Sequence, residues 1–184
     1  MLTGAHKGGQ TESASRICYH NAMTVHFICR GNVFRSIIAE AYLRSLRLKG
    51  VDVLSSGTVA AKEKSRNEEN HYRVRAMLKR HGIERFAKPA YGEQATQSLI
   101  DKSTIIVCVN RRVYEECSKL VKLPDDVVVW NVADIDEAEP VPATARDREQ
   151  FLEKTYLQIV DEITKLVQAR QLQKVKGESE QHVS

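Results

Sequence analysis

Cysteine, proline and tryptophan are scarce in this 184-residue chain, at four, four and one. The cysteines, Cys18, Cys29, Cys108 and Cys117, have neither the short paired spacing of a zinc site nor the density of a secreted disulfide framework. The histidines, His6, His20, His26, His71, His81 and His182, also fall at no metal-ligand spacing. No metal and no cofactor is therefore expected. Long apolar runs are missing too, and no window approaches the roughly 20 residues that a transmembrane helix needs. The leader MLTGAHKGGQTESASRICYHNA lacks the apolar core of a secretory signal. Charge of one sign is only mildly in excess. A net charge of +4 and a pI near 8.9 favour anionic partners slightly and do not argue for nucleic acid or a membrane surface. The expected setting is the cytoplasm, where thiols stay reduced and one cysteine is free to be chemical.

What the chain does have is alternation. A hydrophobic content of 42% over this length suits one sizeable core and no second domain. The sequence predicts a single domain over residues 23–174. Before it lies an extension, residues 1–22, rich in Gly, Ser, Thr and His and expected to be disordered. After it comes a polar tail, residues 175–184, expected to fray. Within the domain, strands are expected at Val25–Ile28, Val51–Ser55, Thr104–Val109 and Val127–Trp130. The run TIIVCV is apolar on both parities, as in a strand covered on both faces. Helices are expected at Arg35–Leu48, Glu68–His81, Arg111–Leu120 and from about Asp147 to Gln171, with a short turn at Thr96–Ile100. Gly50 and Gly82 stop the first two. In the last, Phe151, Leu152, Tyr156, Ile159, Ile163 and Leu166 recur at helical spacing. Strands separated by helices imply βαβ units, and hence an α/β fold. The expectation is a small parallel four-stranded sheet with helices on both faces, three layers in all.

In such sheets ligands bind beyond the carboxyl ends of the strands. There, directly after the first strand, stands CRGNVFRS, residues 29–36. A structural turn accounts for Gly31 and Asn32, both suited to positive φ. It does not account for a thiol and a guanidinium five residues apart. A loop running into a helix start turns backbone N–H groups inward and forms an anion nest of phosphate size. The phosphate-binding residues would be Arg30, Gly31, Asn32, Val33, Phe34 and Ser36, with Arg35 offering a planar fork to two phosphate oxygens. Cys29 at the floor of that positive ring is favoured as thiolate. Such a sulfur is aligned for in-line attack on phosphorus, and Ser36 can hydrogen-bond it as it leaves.

The pattern C-x-G-N-x-x-R-S, followed at once by I-I-A-E, resembles the signature of the low-molecular-weight protein tyrosine phosphatases. The likeness continues at Ser55-Ser56-Gly57-Thr58 and at Trp130-Asn131-Val132-Ala133-Asp134, and spans about Met23 to Leu172. The resemblance implies dephosphorylation of protein phosphotyrosine through a phosphocysteine, with one aspartate as general acid and inorganic phosphate as product. It places Asp134 on the acid position, with Ile135 where the family carries proline, and Asp136 as the alternative. It also matches Ser55 to the serine that braces Asn32.

Several departures bear on substrate and redox behaviour. Phe34 stands where most relatives carry a second cysteine, so Cys29 is expected to over-oxidise with poor recovery by thiols. Ile37 replaces a proline, and Phe86–Ala90 and Val59–Asn70 lack the family's usual substrate-wall residues. Arg30 could attract acidic sequence around the phosphorylated residue. Three rivals share the pattern. Arsenate reductases need two further cysteines, for which Cys108 and Cys117 are the candidates, although Cys108 lies in an apolar run that reads as core. Protein arginine phosphatases carry threonine at the position of Val33, whose apolar side chain favours a larger aryl phosphate. A non-catalytic phospho-binding module would typically have lost Cys29, Arg35 or the acid.

Overall fold

The computed structural model describes residues 23–63 and 68–172. The extension 1–22 and the tail 175–184 lie outside them. Strand β1 (Met23–Cys29) is followed by α1 (Arg35–Ser45), β2 (Val51–Gly57), α2 (Ala60–Glu63) and α3 (Glu68–Arg80). Then come α4 (Gln97–Asp101), β3 (Ile105–Cys108), α5 (Arg111–Leu120), β4 (Val128–Val129) and α6 (Ala145–Ala169). Short 3-10 turns at Glu84–Phe86 and Ile135–Glu137 complete the set. No helix among the described residues is long and apolar enough to cross a membrane.

All strand pairs are parallel, in the order β2-β1-β3-β4. The chain leaves β1 toward β2 on one side and later returns to its other side as β3. The cleft beyond β1 and β3 is thus the switch point at which α/β sheets bind ligands. From Val25 onward every residue of β1 is buried, as are all four of β3, so both parities face covering layers. Helices α1 and α6 pack on each other, α3 joins them, and α5 lies on β3. Phe27, Ile28, Ile37, Ile38, Met77, Leu78, Ile159 and Ile163 form the centre of the core.

The elements differ from expectation mainly at their ends. Helix α1 stops at Ser45 rather than Leu48, because Arg47 enters the left-handed region at φ +48° before Gly50 at +67°. Strand β2 runs on to Gly57, drawn out by its register with β1, which pairs Gly57 with Cys29. Strand β4 shrinks to two residues at the sheet edge, where Trp130 instead packs its ring at a tilt against Phe27, 5.4 Å between centroids. The turn at Thr96–Ile100 is the short helix α4, capped by the Thr96 hydroxyl, and α6 starts two residues early on a Thr144–Asp147 capping box.

Candidate active site

Cys29 closes β1 with its side chain buried at the sheet's carboxyl edge. The loop that follows is clamped from three directions. Strand β2 and its continuation donate Thr58 N to Cys29 O and Val59 N to Arg30 O, each 3.0 Å. Gly57 fits closely beneath it, since a Cβ there would lie 2.5 Å from Arg30 O and 2.7 Å from Asn32 N. From the 92–93 turn, Gly92 N donates to Asn32 O at 3.0 Å and Glu93 N to Asn32 Oδ1 at 2.9 Å.

Asn32 is the loop's organiser. It alone carries the positive φ, +50°; Gly31 does not take the left-handed conformation expected of it. The Asn32 amide donates both of its N–H bonds, to Ser36 Oγ at 3.1 Å and Ser55 Oγ at 2.9 Å. Ser36 Oγ therefore accepts from Asn32 and keeps its own proton for Cys29 Sγ, 2.9 Å away. Asn32 N donates to the same sulfur at 3.2 Å. Ser55 in turn donates to Glu40 Oε2, and the buried Glu40 pairs with Arg44 Nη1 at 2.5 Å. Burial pushes the Glu40 carboxyl upward, against the lowering pull of Ser55 and Arg44. A chain of hydrogen bonds thus runs from the thiol to a carboxylate in the core. Ser55 thus stands between Asn32 and Glu40. Glu40 had no expected role, although it is the last letter of the I-I-A-E run.

Arg35 opens α1 with only 2% of its side chain exposed. Its Nη1 donates to Val132 O at 2.9 Å, and its Nη2 donates to Asp134 Oδ2. Asp134 caps the following 3-10 turn by accepting from Ile135 N at 2.9 Å. The backbone N of Asp134 donates to Glu137 Oε2 at 2.7 Å, closing a capping box. Asn110 Nδ2 grips the same Glu137 oxygen at 2.8 Å. Asp136 points elsewhere, with Arg112 Nη1 3.2 Å from its Oδ2. Arg112 also lies 3.5 Å from both Glu137 and Glu116, and Glu116 binds Arg30 Nε at 3.0 Å and Thr58 Oγ1 at 2.5 Å. The Asp134 loop and the Cys29 loop are thereby joined through a line of alternating charges. Nothing in the sequence spacing indicated Arg112, Glu116 or Asn110.

Cys29, Arg30, Gly31, Val33, Phe34, Arg35, Asp134 and Asp136 all line one cleft of about 220 Å³. Val74, Ile135 and Leu152 give it an apolar flank, and Phe34 stands against the Phe151 ring at 6.0 Å. Val59–Asn70 carries no aromatic residue, and α3 and α6 give the cleft aliphatic side chains. The Phe86–Ala90 segment contributes Lys88, which donates to Ser55 O at 2.7 Å and to Glu93 Oε2 at 2.8 Å, steadying β2 and the 92–93 turn together. Cys108 and Cys117 are both fully buried and in contact, outside the cleft lining.

The family model of the low molecular weight phosphotyrosine protein phosphatases matches residues 24–179. The chain belongs to that family. A comparison with the curated proteins found no match. Among solved structures, the phosphatase fold is shared with Wzb of Vibrio vulnificus, solved in complex with benzylphosphonate. The two are 16% identical with a TM-score of 0.59, over 78% of this chain and 99% of that one. A low molecular weight phosphotyrosine phosphatase of Vibrio cholerae O395 is 20% identical at a TM-score of 0.58, covering 88% and 99%. The arginine phosphatase YwlE of Geobacillus stearothermophilus is 19% identical at 0.52, covering 81% and 95%. At these identities the likeness concerns the fold.

Proposed function

We propose that the protein hydrolyses phosphomonoesters of the aryl type, with protein phosphotyrosine as the substrate class, through a phosphocysteine intermediate. The observation that carries this reading is the meeting of Cys29, Arg35 and Asp134 in one cleft, with two donors already on the sulfur. In the first step the Cys29 thiolate attacks phosphorus and the bond to the leaving oxygen breaks. Asp134 gives its proton to that oxygen as it departs. Arg35 keeps Nη1 on Val132 O and turns the rest of its fork from Asp134 to the phosphoryl oxygens. In the second step Asp134 takes a proton from water, the water oxygen bonds phosphorus, and the sulfur leaves with the Ser36 hydroxyl hydrogen-bonded to it. Inorganic phosphate is the product.

Asp134 is preferred to Asp136 because it touches Arg35, whereas Asp136 is engaged by Arg112 and half exposed. Val33 and the aliphatic flank support an aryl rather than a guanidinium leaving group. The test is release of p-nitrophenol from its phosphate, with a loss on the order of a thousandfold or more in Cys29→Ser. A parallel assay with phosphotyrosine and phosphoarginine separates the two substrate classes. Faster turnover of phosphoarginine would overturn the tyrosine reading and leave the phosphocysteine chemistry standing.

A further inference from the structure

Two cations of the cleft have no part in the chemistry above. Arg73 of α3 and Arg148 of α6 line the cleft together with Val74 and Leu152. Neither lies in the loop signature, and they come from helices more than seventy residues apart in sequence. The cleft lining holds four arginines, Arg30, Arg35, Arg73 and Arg148, against two carboxylates, Asp134 and Asp136. Arg35 is committed to the phosphoryl group, and Asp134 is its neighbour.

Arg73 holds a carboxylate already. Glu69, one turn before Arg73 on α3, accepts from Arg73 Nη2 at 2.6 Å and Nε at 3.2 Å. Arg73 first, with Arg148 adding to it, keeps the Glu69 carboxyl below the usual carboxylate range. One carboxylate therefore feels both guanidinium groups. Glu69 is 71% exposed, and such exposed pairs along a helix are weak, so another carboxylate can exchange with it at little cost. Arg73 and Arg148 share the cleft with Cys29, so the chain carrying an aryl phosphate bound there would leave within their reach.

We propose that Arg73 and Arg148 form a second anion subsite that selects phosphotyrosine peptides carrying an acidic residue next to the phosphotyrosine, with Glu69 occupying it in the free enzyme. The proposal rests on the phosphotyrosine reading of the cleft. It makes Glu69 a competitor of the substrate, so removing a negative charge and removing a positive charge should act in opposite directions.

The experiment compares two peptides that differ only in Glu or Gln on both sides of the phosphotyrosine. The quantity read is the ratio of their kcat/KM values within each variant, which cancels any loss common to both. Wild type is expected to prefer the Glu peptide by roughly fivefold, less at high salt, where exposed charges are screened. Arg73→Ala/Arg148→Ala should bring the ratio close to one. Glu69→Gln should raise it above wild type. Arg146→Ala removes an exposed charge from the same helix outside the cleft, and should leave the ratio where it was. The subsite is overturned if wild type shows no preference, if the double variant keeps the preference, if Glu69→Gln lowers it, or if Arg146→Ala abolishes it equally. In each of those cases hydrolysis itself persists and the proposed function stands. If neither peptide is hydrolysed, both readings fall together.

Discussion

At the floor of the cleft Asn32 is fully buried, and its side-chain amide nitrogen and oxygen, backbone N–H and carbonyl all have partners. At the rim Asp136, Arg112 and Glu116 are held by ion pairs of 3.2 and 3.5 Å at sites a quarter to a half exposed. The floor uses neutral hydrogen bonds in a dry setting, where each orphaned group is costly and the geometry is therefore singular. The rim uses charges in a wet setting, where each contact is weak and can be exchanged. The difference follows from what each region has to do. A nucleophile needs a fixed ring of donors before substrate arrives. In the proposed mechanism the Asp134 loop releases Arg35 when an anion enters, and in the proposed subsite Glu69 leaves Arg73.

This comparison can be broken from its strongest point downward. Asp134→Ala should cost about 10²–10⁴-fold in single-turnover rate for substrates with poor leaving groups, and far less for p-nitrophenyl phosphate. Asp136→Ala should cost less than about tenfold. Reversal of the two would move the acid to the exposed side of the loop. Asn32→Ala leaves Ser36, Ser55 and the Glu93 N–H short of partners and puts alanine at φ +50°. A loss of about 3 kcal/mol in urea unfolding is expected, together with slowed phosphocysteine breakdown. A stability change near zero would show that the floor is not the rigid part.

A comparable effect of pH is expected behind the floor. His26 on β1 lies 2.8 Å from Ser56 Oγ and 3.1 Å from Ser103 Oγ. Ser103 donates its own proton to Leu99 O, so His26 Nδ1–H donates to Ser103 and Nε2 accepts from Ser56. Burial foremost lowers His26 from 6.5 to about 4, with Glu93 raising it and Lys88 lowering it further. The unfolded chain thus takes up this proton well before the folded one. Stability is complete above pH 6.5 and falls as the pH drops toward 4, by about 3 kcal/mol over the full span. His26→Gln should flatten that fall in unfolding midpoints measured between pH 7 and 5. An unchanged slope would assign the acid sensitivity to other groups.

Arg112→Ala should have the smallest effect. Less than about 1 kcal/mol of stability is expected to go, with a few-fold slowing of leaving-group protonation that added salt reproduces in wild type. A large loss of stability would mean that the rim is built like the floor.

The βαβ alternation was readable in the sequence because apolar runs on both parities, glycine stops and cap residues are local signals. Thr144 and Asp147 capping α6 illustrate this, as does Gly82 at φ +71° after α3. The edge strand is shorter than its apolar run. The apolar letters of Val127–Trp130 say nothing of how many partners an edge strand finds, and Trp130 went to the core instead. In the site, Cys29, Arg35 and Ser36 were legible because their chemistry is packed into eight consecutive residues. Asp134 could be reached only through the resemblance, since its bond to Arg35 spans 99 positions. Glu40, Asn110, Arg112 and Glu116 were silent for the same reason. As single letters they are ordinary surface or helix residues, and only folding brings them to the loop.

By itself the sequence determined the parallel α/β chassis, the strand-loop-helix that carries the thiol, and the family to which the chain belongs. Local periodicity and one short motif are enough for each of these. The tertiary structure decided which aspartate meets Arg35, which residue carries the loop's positive φ, and which cations line the cleft beside Cys29. These are contacts between residues tens of positions apart, set by how α1, α3 and α6 pack beside the sheet, and no local pattern encodes them.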